Sequence, residues 1–341
     1  MGMTAPTAKR PSTRSALRLP QAAPEERGLN RERLDAMHGV ASEWGIRSIF
    51  VAKDAHSVWE WHEADTDRPT AIYSCTKSVL ATLIGIAVDE GHIASIDQPL
   101  ADYLPLAQLP GSDKLANVKL KHLLAMTPGF DWPDFDKPYK QLKQAEDGIR
   151  YVLERPIVHE PGEAFTYNSG GSHLLAAVLA AAVKQDPLQY AKTVLFEPLG
   201  IRRVKWNVHQ GLIEGGTGLH LSSHDLAKLG VLHANNGSWD GRQIVSPEWV
   251  NAATRPHSKG LANYKPSIYG QYGYHWWVSS GQSPEVPQYY FAFGYGGQYL
   301  AVAPEHRLVA VVRKSLSGRN AAIRSRQLLH DYIFASLIAL N

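Results

Sequence analysis

Cysteine is nearly absent: Cys75 stands alone in 341 residues, so no disulfide can form within the chain. Long apolar runs are missing too, and none approaches the roughly 20 residues that a bilayer-spanning helix needs. Charge of one sign is scarce. The formal net charge is only +3 with neutral histidines, and Lys and Arg are scattered, which argues against a nucleic-acid partner or an anionic membrane surface. Residues 1–20 are rich in Ala, Pro, Ser, Thr and basic side chains but lack an apolar h-region. Residues 1–24 are therefore expected to form a disordered leader, and the chain to be cytoplasmic. Metal-binding spacing is also lacking: there are fifteen histidines, yet no His-Glu-x-x-His and no His-x-His-x-Asp. His220 and His224 could share a helix face but read as structural or surface residues, so no metal and no cofactor is expected. No Gly-x-Ser-x-Gly elbow occurs, which counts against a Ser-His-Asp enzyme of the α/β-hydrolase type.

What is present is an ordinary globular composition, 44% hydrophobic, long enough for about two domains. Asn30 caps an amphipathic helix that runs to Trp44. Residues 46–52 and 57–62 are β-rich and separated by a polar turn, as in an antiparallel hairpin. Helical patterning dominates the middle, most clearly at residues 174–183 and 224–234. Strand character returns at residues 289–293, 299–303 and 308–312, and residues 319–340 close the chain as a long amphipathic helix. Strands at both ends of a helical middle imply an α+β fold, because a sheet needs its two halves to meet. The expected organisation is a discontinuous sheet domain (residues 25–72 and 265–341) with a mostly helical domain (residues 73–264) inserted in it, and an active site in the cleft between them. No internal repeat is visible.

Ser74-Cys75-Thr76-Lys77 heads the apolar residues 79–88, and no other serine here is followed three residues on by lysine. On a helix the two side chains share a face one turn apart. The helix that follows is apolar nearly all round, the pattern of a buried one. A lysine drawn out of water there favours its neutral, proton-accepting form, and the helix N-terminus offers amide N–H groups to an oxyanion. An N-capping serine followed by a surface lysine fits this segment equally well.

Two further segments change the balance: Glu160-Pro161-Gly162-Glu163-Ala164-Phe165-Thr166-Tyr167-Asn168-Ser169-Gly170-Gly171, and Tyr290-Phe291-Ala292-Phe293-Gly294-Tyr295-Gly296-Gly297-Gln298-Tyr299. With Ser74-x-x-Lys77 they resemble the three motifs of the penicillin-recognising serine hydrolases: class C β-lactamases, DD-peptidases and related esterases. Leu123-Leu124-Ala125-Met126-Thr127-Pro128-Gly129, Leu221-Ser222-Ser223-His224-Asp225-Leu226 and Tyr272-Gly273-Tyr274-His275-Trp276-Trp277 extend the likeness over roughly residues 25–340. It is nearest the branch of 6-aminohexanoate-dimer hydrolases and family VIII-type carboxylesterases.

The resemblance implies a β-lactamase/transpeptidase-like fold and an acyl-enzyme on Ser74, with Lys77 and Tyr167 as the acid/base pair. It implies an oxyanion hole from the backbone N–H of Ser74 and Tyr295 beside Gly294, and a small ester or amide as substrate. Ser169, Asp131, Trp132, Trp276, Gly296 and Gly297 are the substrate-contacting candidates. Trp132, Trp276, Trp277 and Tyr295 could form an aromatic wall for an apolar acyl chain, with core packing favoured for at least one of the paired tryptophans. Asp131, Asp134 and Asp136 in the loop after Gly129 read more as solvated acids than as selectors of a substrate amino group. Two departures stand out. Tyr167-Asn168-Ser169 puts a hydroxyl where β-lactamases carry an amide, and Ala292 stands where they carry a Lys or His that binds the substrate carboxylate. The second departure favours a neutral ester or amide over a penicillin. A β-lactamase or D-Ala-D-Ala-type peptidase, and a slow-deacylating or non-catalytic receptor, are the alternatives.

Overall fold

Asp54 and Ala55 both adopt positive φ, 50° and 59°. That conformation closes the expected hairpin between β1 (Ile46–Lys53) and β2 (His56–His62). The structure is a computed structural model and describes residues 18–63, 67–106, 109, 112–133, 137–261, 269–279, 286–316 and 321–338. The hairpin forms one edge of the main sheet. The other strands come from the far end of the chain: β3 (Gln271–Tyr272), β4 (Trp277–Val278), β5 (Tyr290–Gly294), β6 (Gln298–Ala303) and β7 (Leu308–Lys314). Seven antiparallel strands run in the order β3-β4-β5-β6-β7-β1-β2. The two chain ends meet where β1 pairs with β7, through Phe50↔Val311 and Val51↔Ala310.

Strand alternation gives this sheet two apolar faces. Phe50, Ala52, Leu300, Val302, Val309 and Val311 point into one core, and Ile49, Val51, Ala301, Ala303, Ala310 and Val312 into the other. The second face is covered by α1 (Arg31–Asp35) and α2 (Met37–Ala41) from the N-terminal side. The first face meets the helical layer, which holds α3 (Thr76–Asp89), α4 (Lys137–Gln144), α5 (Ser169–Val183) and α6 (Ser223–Ala234). α6 lies directly on β1, β6 and β7. α3 is buried without interruption from Thr76 to Ala87, as its all-round apolar sequence demands. Leu80, Ile84, Leu174 and Leu179 belong to the same core as Leu300 and Val311, so helices and sheet share one interior.

Three expectations need correction. Asn30 does cap a helix, accepting from Arg33 N–H at 2.9 Å, but that segment is two short helices. The C-terminal segment is α7 (Ala321–Gln327), then a wider π-helical stretch (Leu328–Ile333) and a 3-10 turn (Phe334–Ser336). The change of winding lets Leu328, Leu329, Ile333 and Phe334 all be buried. Residues 19–24, expected within the disordered leader, are ordered against the fold. Residues 1–17 lie outside the described residues, but Leu19 is buried, and Ser57 N–H donates to Pro20 O at 2.8 Å. No helix among the described residues is long and apolar enough to cross a membrane.

Candidate active site

Ser74 sits in a 3-10 turn (Tyr73–Cys75) that runs straight into α3. Tyr73 holds φ at 49°, a conformation that costs a residue with a side chain some strain and recurs where a site is being shaped. β5 presses on this turn. A Cβ at Gly294 would lie 2.5 Å from Ile72 O, so only glycine allows the strand to pass so close to Ser74. Ser74 is half-buried, and Lys77, one turn on, is 1% exposed.

The Lys77 ammonium donates to Ser74 Oγ at 3.2 Å, Ser169 Oγ at 3.1 Å and Gly216 O at 2.8 Å. It also lies 4.9 Å from the centre of the Tyr167 ring. The structure thus brings together the alcohol, amine and phenol that the sequence singled out.

Each member is fixed by its own scaffold. Met126, at φ 60°, accepts from Thr166 N–H through its carbonyl at 2.8 Å and from Asn168 N–H through Sδ at 3.1 Å, which pins the chain on both sides of Tyr167. Asn168 then caps α5, its Oδ1 accepting from Gly171 N–H at 2.8 Å. Trp277 stacks on the Tyr167 ring, centroids 5.7 Å apart and planes 15° apart. The loop bearing Gly216 is tied to α4 by the Lys143–Glu214 ion pair and the Tyr139–Thr217 hydrogen bond.

Buried His275 links the pieces. Its Nδ1–H donates to Leu124 O at 3.0 Å, its Nε2 accepts from Ser172 Oγ on α5 at 3.1 Å, and its carbonyl accepts from Ser78 Oγ on α3 at 2.6 Å. Burial, with the Lys77 charge in support, pushes its pKa down to about 3 and keeps it neutral. Cys75 is inert for a similar reason: burial pushes its thiol up to about 12.

The beta-lactamase family model matches residues 31–335. The chain belongs to the beta-lactamase family. A 6-aminohexanoate-dimer hydrolase of Paenarthrobacter ureafaciens is 23% identical over 290 residues, covering 77% of this chain and 71% of its own. A solved Bacillus anthracis protein, provisionally assigned as a 6-aminohexanoate-dimer hydrolase, superposes with a TM-score of 0.76 at 17% identity, covering 93% of this chain and 87% of that one. EstCE1, a hydrolase with promiscuous acyltransferase activity, gives 0.73 at 16% identity, covering 89% and 98%. At such identities the structural likeness is one of fold.

Within this beta-lactamase fold several candidate residues stand elsewhere than expected. Trp276 is fully buried, packed on His233 and Tyr290, and takes no part in an open wall. Trp132 is 1% exposed and buttresses α5, where a Cβ on Gly170 would come within 2.6 Å of its ring. Tyr295, 69% exposed with its ring edge on Tyr73, is the aromatic side chain that does face solvent. Asp131 is spent on Arg155, which pairs with its carboxylate at 3.3 Å and its carbonyl at 2.9 Å. Asp134 and Asp136 lie outside the described residues.

Gly296 and Gly297 serve the β5–β6 turn with φ of 76° and 90°, and Gly297 O accepts from Ser325 Oγ at 2.7 Å. Ser169 is placed toward Lys77. His220 is on a strand and His224 on α6, so they share no helix face. Among the described residues no group of three or more His, Cys, Asp or Glu side chains could hold a metal.

Gly216, Met126 and His275 were not found from sequence. The first two act through a carbonyl and a thioether, which side-chain motifs do not reveal. His275 carried a signal within Tyr272-Gly273-Tyr274-His275-Trp276-Trp277 but no chemical partner nearby in sequence.

Proposed function

We propose that the protein is a serine hydrolase that cleaves ester or amide bonds of small substrates through an acyl-enzyme on Ser74. The observation that carries this reading is the buried Lys77 ammonium, 3.2 Å from the half-buried Ser74 hydroxyl and against the Tyr167 ring. Ser74 Oγ attacks the carbonyl carbon while its proton passes to the Lys77–Tyr167 pair. On this reading the proton is assigned to the pair and not to either member. Backbone N–H groups of Ser74 and Tyr295 receive the oxyanion. Tyr167 returns the proton to the departing alcohol or amine. Water, deprotonated by the same pair, then attacks the ester and frees Ser74.

The buried, uncharged Ala292 on β5 supports a substrate without a carboxylate beside the scissile bond. The hydrolase names of the relatives support ester or amide chemistry in general.

Stopped-flow hydrolysis of p-nitrophenyl butyrate tests the reading. A burst followed by sustained turnover is expected, and Ser74→Ala should abolish both while leaving the circular dichroism spectrum unchanged. One equivalent released and then a halt would indicate a receptor, and wild-type-like turnover in Ser74→Ala would remove Ser74 from the role.

A further inference from the structure

Tyr73 also lines a cavity of about 420 Å³, whose walls come from Arg47, Ser48, His62 and Glu63 at the ends of β1 and β2, from Gln298, Arg313 and Lys314 at the ends of β6 and β7, and from Asp67, Arg68, Thr70 and Ala71. Ser74, Lys77 and Tyr167 are not among its lining residues. Its volume is within the range of small-molecule sites.

The walls carry an uncompensated charge. Arg47, Arg68, Arg313 and Lys314 are cations, and Glu63 and Asp67 are the carboxylates. Asp67 is already engaged, each of its oxygens accepting at 2.8 Å, from Ser223 N–H and His224 N–H. Glu63 stands 3.9 Å from Arg47, in an exposed pair.

The two buried cations have neutral partners. Arg313 donates to Gln298 Oε1 at 2.8 Å, Thr70 Oγ1 at 2.7 Å, Ala71 O at 2.8 Å and Leu221 O at 3.3 Å. Lys314 donates to Trp44 O at 2.6 Å. Among the described residues neither has a carboxylate within ion-pair distance. Burial lowers the pKa of both, because poorly solvated surroundings disfavour the charged form, and the Asp67 charge offsets this only in part for Arg313. Leaving such charge unpaired is costly, and an entering anion relieves that cost.

We infer that this cavity binds the oxyanion of a small ligand, a carboxylate or a phosphate, next to the turn that carries Ser74. The cation absent from β5 has, in effect, counterparts farther across the same sheet, on β7 and β1, outside the trio. The inference goes beyond the hydrolase reading and does not depend on it.

Isothermal titration at fixed ionic strength tests it, with glutarate and inorganic phosphate as probes, uncharged glutaramide as control, and Ser74→Ala protein used in parallel so that turnover plays no part. Saturable binding of glutarate or phosphate, but not glutaramide, is expected. Arg68→Glu, at an exposed position, should weaken it at least tenfold, while Arg242→Glu, on a distant exposed hairpin, should not. No saturable binding of either anion by about 10 mM, weaker than any affinity that would matter, or equal weakening by Arg242→Glu, would overturn the inference.

The ligand's source is read from p-nitrophenyl hemiglutarate against p-nitrophenyl butyrate. If the anion belongs to the substrate, Arg68→Glu lowers kcat/KM about tenfold for the hemiester alone. If it is a separate effector, free glutarate changes butyrate turnover saturably and the two esters respond alike to Arg68→Glu.

Discussion

Two lysines are buried in the helical layer, and they are held in opposite ways. Lys228 on α6 is fully buried, with its ammonium 3.0 Å from the Asp225 carboxylate and 3.3 Å from Gly200 O. Lys77 on α3 donates to two hydroxyls and a carbonyl. Burial lowers the Lys228 pKa, and the Asp225 carboxylate beside it opposes that shift. A lysine facing a carboxylate is fixed as a cation. The hydrogen bonds from Lys77 run to uncharged oxygens, and on the proposed reading it exchanges its proton with the Ser74 hydroxyl beside it.

The sharpest way to break the comparison is to remove each amine. Lys77→Met and Tyr167→Phe should each lower ester turnover by about 10³-fold or more, and the double variant should be little worse than either, because the two act as a unit. Retained turnover in Lys77→Met would end the distinction between the two lysines.

Acid probes both regions through their imidazoles. His275, tied to the Lys77 region, is pushed down to about 3, and His224, beside Asp225, to about 4, mainly by burial. Both stay neutral in the fold, whereas in the unfolded chain they take up protons near pH 6.5. The unfolded state therefore binds more protons between these values, and stability is present above about pH 6.5 and lost as pH falls toward 3. For fully buried His275 the loss is on the order of a few kcal/mol. Denaturant midpoints at pH 7, 5 and 4 should fall in that order, and His275→Gln should flatten the slope. A midpoint constant over this range would contradict the assignment.

A smaller effect is expected at the second lysine. Lys228→Met leaves the half-hidden Asp225 without its partner and should cost about 1–3 kcal/mol of stability with turnover per folded molecule unchanged. Loss of turnover in the folded variant would show that Lys228 reaches the site after all.

Much of this could be read from the chain itself. The buried helix after Ser74 is visible in its all-round apolar sequence, and the split sheet in strand-forming residues at both ends. The trio was legible because three motifs in order constrain one another far more than any one of them does. What escaped was geometry that sequence spacing does not encode. Trp277 and Trp276 are neighbours in sequence, yet at the start of β4 the first turns onto Tyr167 and the second into the core with His233. Asp131 looked available until Arg155, far along the chain, closed on it. Gly216 acts through its carbonyl and its close approach to Ser169, and the cations at residues 313 and 314 acquire meaning only once the sheet places them beside Tyr73.

Cys75 turns the architecture of this corner into a clock. The lone thiol is sealed between α3 and β6, donating to Gln298 O at 3.6 Å. A disulfide reagent should therefore titrate no thiol in native buffer and a single thiol once the chain is unfolded. Its rate of modification times the opening of the segment that presents Ser74, and it does so without any substrate.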